Sequence, residues 1–94
     1  MMIVRNCFVA KPGQASKLAA QLKDMGTAFS MPGFRVLTDL TGEFNRVIME
    51  FSIDSMADLE ARMQQYMTDP GIRAKMQGYT ELWNSGCREI LKVM

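Results

Sequence analysis

The chain contains no histidine. That absence removes the side chain that most often serves as general base, as metal ligand and as the proximal ligand of haem, so histidine triads and histidine-based metal or haem ligation are excluded. Cysteine is scarce too. Cys7 and Cys87 lie far apart with no second cysteine near either, too few ligands for a zinc framework; two small buried thiols in a reducing compartment are expected, a structural disulfide or redox pair being the alternative. No sign of charge dominates: 11 Lys and Arg stand against 10 Asp and Glu, a formal charge of +1, so no global field recruits nucleic acid or an anionic membrane. Long hydrophobic runs are missing as well. Arg5 and Asn6 interrupt the first apolar stretch, and nothing approaches the roughly 18 apolar residues of a membrane span. These absences predict a cytoplasmic chain without cofactor, metal, membrane or nucleic-acid partner.

What is present is a globular composition. Ninety-four residues, 48% hydrophobic and 22% charged, suit a single domain over residues 1–94 with one core. Met2 to Ala10 is β-branched and aromatic and stops at Lys11-Pro12-Gly13, which predicts a first strand and a turn. Ala15, Leu18, Ala19, Leu22, Met25, Gly26 and Phe29 then recur at helical spacing until Met31-Pro32-Gly33 breaks the pattern. Phe34–Leu40 and Asn45–Ile53 alternate and are joined by Thr41-Gly42-Glu43-Phe44, a predicted hairpin. A second helix is expected after Ser55, with Asp58 completing a near capping box. Asp69-Pro70 interrupts it and starts a further helical segment carrying Ile72, Met76, Tyr79, Leu82 and Trp83. Asn84-Ser85-Gly86 ends that segment, and Cys87–Met94 alternates as strand four.

The resulting order, β-α-β-β-α(α)-β, predicts an α+β, ferredoxin-like fold: a four-stranded antiparallel sheet with helices on one face. A bare second face should be uniformly polar. Here alternation assigns to it Ile3, Cys7, Val9, Leu37, Ile48, Ile90 and Met94 together with Arg5, Arg35, Asp39, Arg46, Glu50, Arg88 and Lys92. Such a mixture suits a surface covered by a second copy of the chain around a partly polar cavity, so a homodimer through the sheet face is expected. RNA binding on that face would need stacked aromatics, and strand three offers Arg46, Ile48 and Glu50 instead.

The candidate site residues follow from the same pattern. Arg5, Arg46, Glu50 and Arg88 are expected to converge on the open face, either as a pocket whose guanidinium forks hold a carboxylate or phenolate, or as a charge network across the dimer. Tyr79 and Trp83, four apart, are expected on one helix face, in the core or walling a cavity. Asn6 is out of keeping with the middle of a strand, alternates with Val4 and Phe8, and needs a buried partner or a bulge. The methionines, ten in all, fit plastic core packing.

The element order, the opening Met2-Ile3-Val4-Arg5-Asn6, the run Leu37-Thr38-Asp39-Leu40-Thr41-Gly42 and the run Gly78-Tyr79-Thr80-Glu81-Leu82-Trp83 together resemble the dimeric α/β-barrel superfamily, in its small NIPSNAP-like and antibiotic-biosynthesis-monooxygenase-like branches. The resemblance implies two ferredoxin-like protomers packed sheet against sheet, in a superfamily of cofactor-free oxygenases, isomerases, haem enzymes and proteins without an assigned reaction. Haem-degrading members place an Asn on the first strand, as Asn6 would, but their ligating histidine has no counterpart here. The cofactor-free branch arranges Asn, Trp, Tyr and Arg around an aromatic substrate, which carries over to Asn6, Trp83, Tyr79 or Tyr66, and Arg88. Proton transfer would then fall to Glu50, Asp39 or Tyr79. The expected function is a homodimeric α/β-barrel protein binding a small, partly apolar molecule, monooxygenase-like without a cofactor. The alternative is a non-catalytic dimeric sensor or interaction module with a vestigial cavity.

Overall fold

In the computed structural model, which describes residues 1–94, the chain runs β1 (Met2–Ala10), α1 (Ala15–Ala28), β2 (Arg35–Thr38), β3 (Arg46–Ile53), α2 (Met56–Thr68), α3 (Pro70–Lys75), a 3-10 turn (Tyr79–Glu81) and β4 (Trp83–Lys92). The strands form one antiparallel sheet in the order β2-β3-β1-β4, which is the expected ferredoxin-like topology, with β2 and β4 at its rims. No helix is long and apolar enough to cross a membrane.

Local chemistry explains the boundaries. At the start of α2, Ser55 Oγ accepts a hydrogen bond from the Asp58 backbone N–H at 3.1 Å, while Asp58 Oδ2 accepts from the Asp54 N–H, also at 3.1 Å. One donor of the first turn, and one just ahead of the cap, are thereby satisfied. Asp69 Oδ1 does the same for Gly71 and Ile72, and Pro70 occupies the first helical position, where a missing N–H costs nothing.

The core lies between one face of the sheet and the helices. Val4, Val47, Phe51 and Ile53 meet Leu18 and Leu22 of α1, Leu59 of α2 and Ile72 of α3, all buried. Each such side chain contributes about 1.5–3 kcal/mol relative to exposure. The contact between α1 and the start of β2 depends on Gly26: a Cβ there would fall 2.1 Å from the Phe34 ring, so only glycine lets that ring lie against the helix.

Three expectations need correction. The segment after Asp69 was expected to be helical as far as Trp83, but α3 stops at Lys75, and Gly78 takes φ 79°, a left-handed conformation that ends a helix. Tyr79 therefore sits in a single 3-10 turn, and Trp83 is the first residue of β4 rather than a helical neighbour of Tyr79. For the same reason β4 begins four residues before the expected Cys87. Strand two ends at Thr38 rather than Leu40. Asp39 turns out of the sheet, its Oδ1 accepting from the Arg46 N–H at 3.0 Å, and Leu40 is fully exposed.

Candidate functional site

Pairing fixes which side chains share a face, because residues directly opposite in a ladder point the same way. Arg5 lies opposite Glu50 on β3 and Glu89 on β4, and Arg35 lies opposite Glu50 from β2. These belong to the face away from the helices. There Arg5 Nε donates to Glu50 Oε2 at 2.6 Å and Arg35 Nε to Oε1 at 2.7 Å, so one carboxylate is clamped between two guanidinium groups and is only 2% exposed. Burial pushes the Glu50 carboxyl up; the hydrogen bonds and charges of Arg35 and Arg5 outweigh it and hold the group below its ordinary range. Arg5 is raised in turn, chiefly by its hydrogen bond to Glu50.

Arg46 shares this face but pairs with Val9, four residues along β1 from Arg5, a separation of about 13 Å at ~3.3 Å per residue. It stands near Cys7 instead. Arg88 is on the other face altogether: its Cα partner is Asn6, and Ile90 and Lys92, opposite Val4 and Met2, accompany it. The open face of β4 is Cys87, Glu89 and Leu91. The expected convergence of Arg5, Arg46, Glu50 and Arg88 is thus replaced by an Arg5–Glu50–Arg35 cluster. The cause is the register in which Cys7 meets Cys87; alternation alone groups the residues of β4 without saying which group faces the helices.

On the helix side the structure brings four of the candidate residues together. A cavity of about 590 Å³ opens between the sheet, α2, α3 and the 3-10 turn, and Asn6, Tyr79, Trp83 and Arg88 all line it. Fourteen of its eighteen lining residues are hydrophobic, among them Phe8, Met49, Met63, Tyr66 and Met76. Phe8 packs edge-on against both Tyr79 and Trp83, with ring centroids 6.4 and 5.2 Å away, and Tyr79 keeps 6.3 Å from Trp83, so the turn and the start of β4 still unite the two aromatics. Asn6 is buried in the middle of β1 without a bulge. Its partner is Arg88, whose Nε donates to Asn6 Oδ1 at 2.8 Å. The bulge in this strand pair lies elsewhere, between Val9 and Ala10. The indole N–H of Trp83 is buried with no acceptor, a state that costs about 1–3 kcal/mol when nothing fills it.

A third grouping was not anticipated from the sequence. Cys7, Cys87 and Glu89 bring their ligand atoms within 4.8 Å of one another, and Cys7 Sγ lies 3.6 Å from Glu89 Oε1. The length of chain between Cys7 and Cys87 hides this proximity, which arises only from the β1–β4 pairing. Both cysteines are free thiols; Cys7 is buried as expected, but Cys87, on the rim strand β4, is exposed and corrects the expectation of two buried thiols. Burial, followed by the neighbouring Cys87, pushes the Cys7 thiol up, against a lowering by Arg46.

No protein-family model matches the chain, and no curated protein does. Solved structures do. An uncharacterized NIPSNAP domain protein from Burkholderia xenovorans superposes with a TM-score of 0.86 at 15% identity, over 100% of this chain and 95% of the other. A NIPSNAP family protein from Agrobacterium tumefaciens gives 0.85 at 19% identity, covering 100% and 94%. A structure from Deinococcus radiodurans, named as a candidate antibiotic biosynthesis monooxygenase, gives 0.70 at 15% identity, covering 100% and 93%. At these identities the likeness establishes the fold alone: the chain shares the ferredoxin-like architecture of these NIPSNAP and monooxygenase-named structures.

Proposed function

We propose that the chain is a homodimeric α/β-barrel protein of one domain, residues 1–94, that holds a small, partly apolar molecule between its sheet and helices. The cavity carries this reading. Its volume of about 590 Å³ falls within the usual range of small-molecule sites, roughly 300–1,000 Å³, and a methionine and aromatic wall with one polar corner at Asn6 and Arg88 suits an apolar body with a single polar group. Binding of the uncharged probe N-phenyl-1-naphthylamine, read as energy transfer from Trp83, the single tryptophan and itself a wall of the cavity, tests it. Absence of transfer both to this probe and to its anionic sulfonate analogue would overturn the reading.

The dimer rests on the opposite face. Ile3, Leu37, Ile48 and Leu91 lie there among Arg5, Arg35, Arg46, Glu50 and Glu89, and no helix covers them. A patch of this mixture is shielded by a self-complementary copy, with Glu50 already neutralised by its two arginines so that apolar area remains to drive contact. Ile48→Asp should turn a dimer in sedimentation velocity into a monomer with unchanged far-ultraviolet circular dichroism. A wild-type monomer at every concentration would refute the assembly.

A cofactor-independent oxygenase is the second reading, favoured by the meeting of Asn6, Tyr79, Trp83 and Arg88 in one cavity. In such a reaction an electron-rich anthrone loses two hydrogens from its ring carbon, one atom of O₂ enters as a carbonyl, and the other leaves as water. Oxygen consumption across a panel of quinols and anthrones separates it from a non-catalytic dimeric sensor or interaction module, which binds and turns nothing over.

A further inference from the structure

The charges around the cavity are unbalanced in a way the whole chain is not. Basic and acidic residues nearly cancel overall, yet the residues lining the cavity include two arginines, Arg73 and Arg88, and no carboxylate. Neither arginine is in an ion pair: the salt bridges of the molecule use Arg5, Arg35, Arg62 and Lys75. Arg88 spends only its Nε, on Asn6, and the two terminal nitrogens of its guanidinium hold no protein acceptor. Those terminal donors form a planar fork of the shape that fits a carboxylate or sulfonate. The cavity also has a wall, Trp83, whose buried indole N–H lacks an acceptor.

The terminal donors of Arg88 and the guanidinium of Arg73 therefore stand free of carboxylates, exposed at the rim of an otherwise apolar cavity. We infer that the cavity is selective for amphiphilic anions: an aromatic or aliphatic body of small-molecule size bearing one carboxylate- or sulfonate-type head, held by Arg88 with Arg73 as the second cation. This rests on the cavity being a binding site and adds the class of molecule that it takes. The Asn6–Arg88 bond then has a specific task, because it fixes a long, otherwise mobile guanidinium at the sheet end of an apolar chamber.

A matched pair of probes tests it on the whole chain: 8-anilinonaphthalene-1-sulfonate and N-phenyl-1-naphthylamine, which share a ring skeleton and differ in the sulfonate. Titrations are read by Trp83 energy transfer, which reports bound probe, and the arginine substitutions assign that probe to the cavity. The sulfonate should bind at least about tenfold more tightly than the uncharged amine, equivalent to about 1.4 kcal/mol. Arg88→Gln should bring that ratio close to one, chiefly by weakening the sulfonate, and Arg88→Lys should retain part of it. If Arg88→Gln does not fold, as judged by circular dichroism, Arg73→Gln and Arg88→Lys carry the test, each lowering the ratio. Equal affinities in the wild type, or a ratio that no arginine substitution changes, overturns the inference while leaving the cavity reading intact. Failure of both probes to reach Trp83 overturns the cavity reading itself, and the inference with it.

Discussion

Replacing Arg5 by methionine should cost more stability than replacing Glu50, although both substitutions delete the same ion pair. Glu50 is almost wholly buried, with one oxygen held by Arg5 at 2.6 Å and the other by Arg35 at 2.7 Å, whereas the two arginine side chains are 34% and 60% exposed. Arg5→Met leaves a buried carboxylate with half its partners. A charge-assisted hydrogen bond contributes about 1.5–3 kcal/mol, and breaking a fully buried pair costs about 3–5 kcal/mol. The exposure of both arginines screens part of this, so a loss of about 2 kcal/mol is expected, or a fall in Tm of about 8–16 °C for a domain of this size. Arg35, the more exposed partner, should cost about 1 kcal/mol. Glu50→Met removes the buried charge itself and leaves two guanidinium groups that reach water, so its loss should be below about 1 kcal/mol. Urea denaturation in the Ile48→Asp background measures the series, because the proposed dimer would cover these arginines and make apparent stability depend on concentration. The pH dependence supplies a second check. Glu50 is held below the ordinary glutamate value of about 4.3 in the folded state, so its stabilisation is complete above that pH and is lost as pH falls through the lower folded value. The gap between wild type and Arg5→Met should therefore narrow below about pH 4. A Glu50→Met variant less stable than Arg5→Met, or three variants within about 0.3 kcal/mol of wild type, would refute the reasoning.

Gly26→Ala should destabilise by about 1–3 kcal/mol despite the better helix propensity of alanine, since its Cβ would meet the Phe34 ring, and Phe34→Leu should recover part of the loss in a double-mutant cycle. Asp69→Ala deprives the Gly71 and Ile72 amides of their acceptor and should cost about 1 kcal/mol, read by thermal melts. In the Ile48→Asp monomer, where the sheet face is uncovered, iodoacetamide at pH 8 should label Cys87 before Cys7, because Cys7 is buried and its thiol is pushed up; peptide mass spectrometry giving equal rates would contradict this.

The architecture was largely legible in the residues. β1 is bounded by its β-branched run and the Pro12-Gly13 turn, and the starts of α2 and α3 by Ser55 and Asp69, because each signal acts within a few residues of its effect. What failed was non-local or conformational. Gly78 looks permissive in a helical pattern, and only its left-handed backbone shows that the helix has ended, which moves Trp83 into the sheet. The two faces of β4 read alike, Cys87-Glu89-Leu91 against Arg88-Ile90-Lys92, so composition does not decide which of them meets the helices. That parity separates Arg88 from Arg5 and Glu50 and joins it to Asn6. Asn6 was the most informative single residue: a polar side chain in the middle of a strand called for a partner, and it finds one in Arg88, which is exposed rather than buried as expected.

The rims of the sheet are unequal. β2 offers four residues to its outer side, while β4 offers ten and is bonded along only one flank, to β1. An unpaired flank of that length is a template on which a foreign strand, or a misfolded sibling, could crystallise its own amides. Arg88, Glu89 and Lys92 stand along it as ionic guards against this. Neutralising them would convert a boundary of the molecule into a seam for fibrous growth.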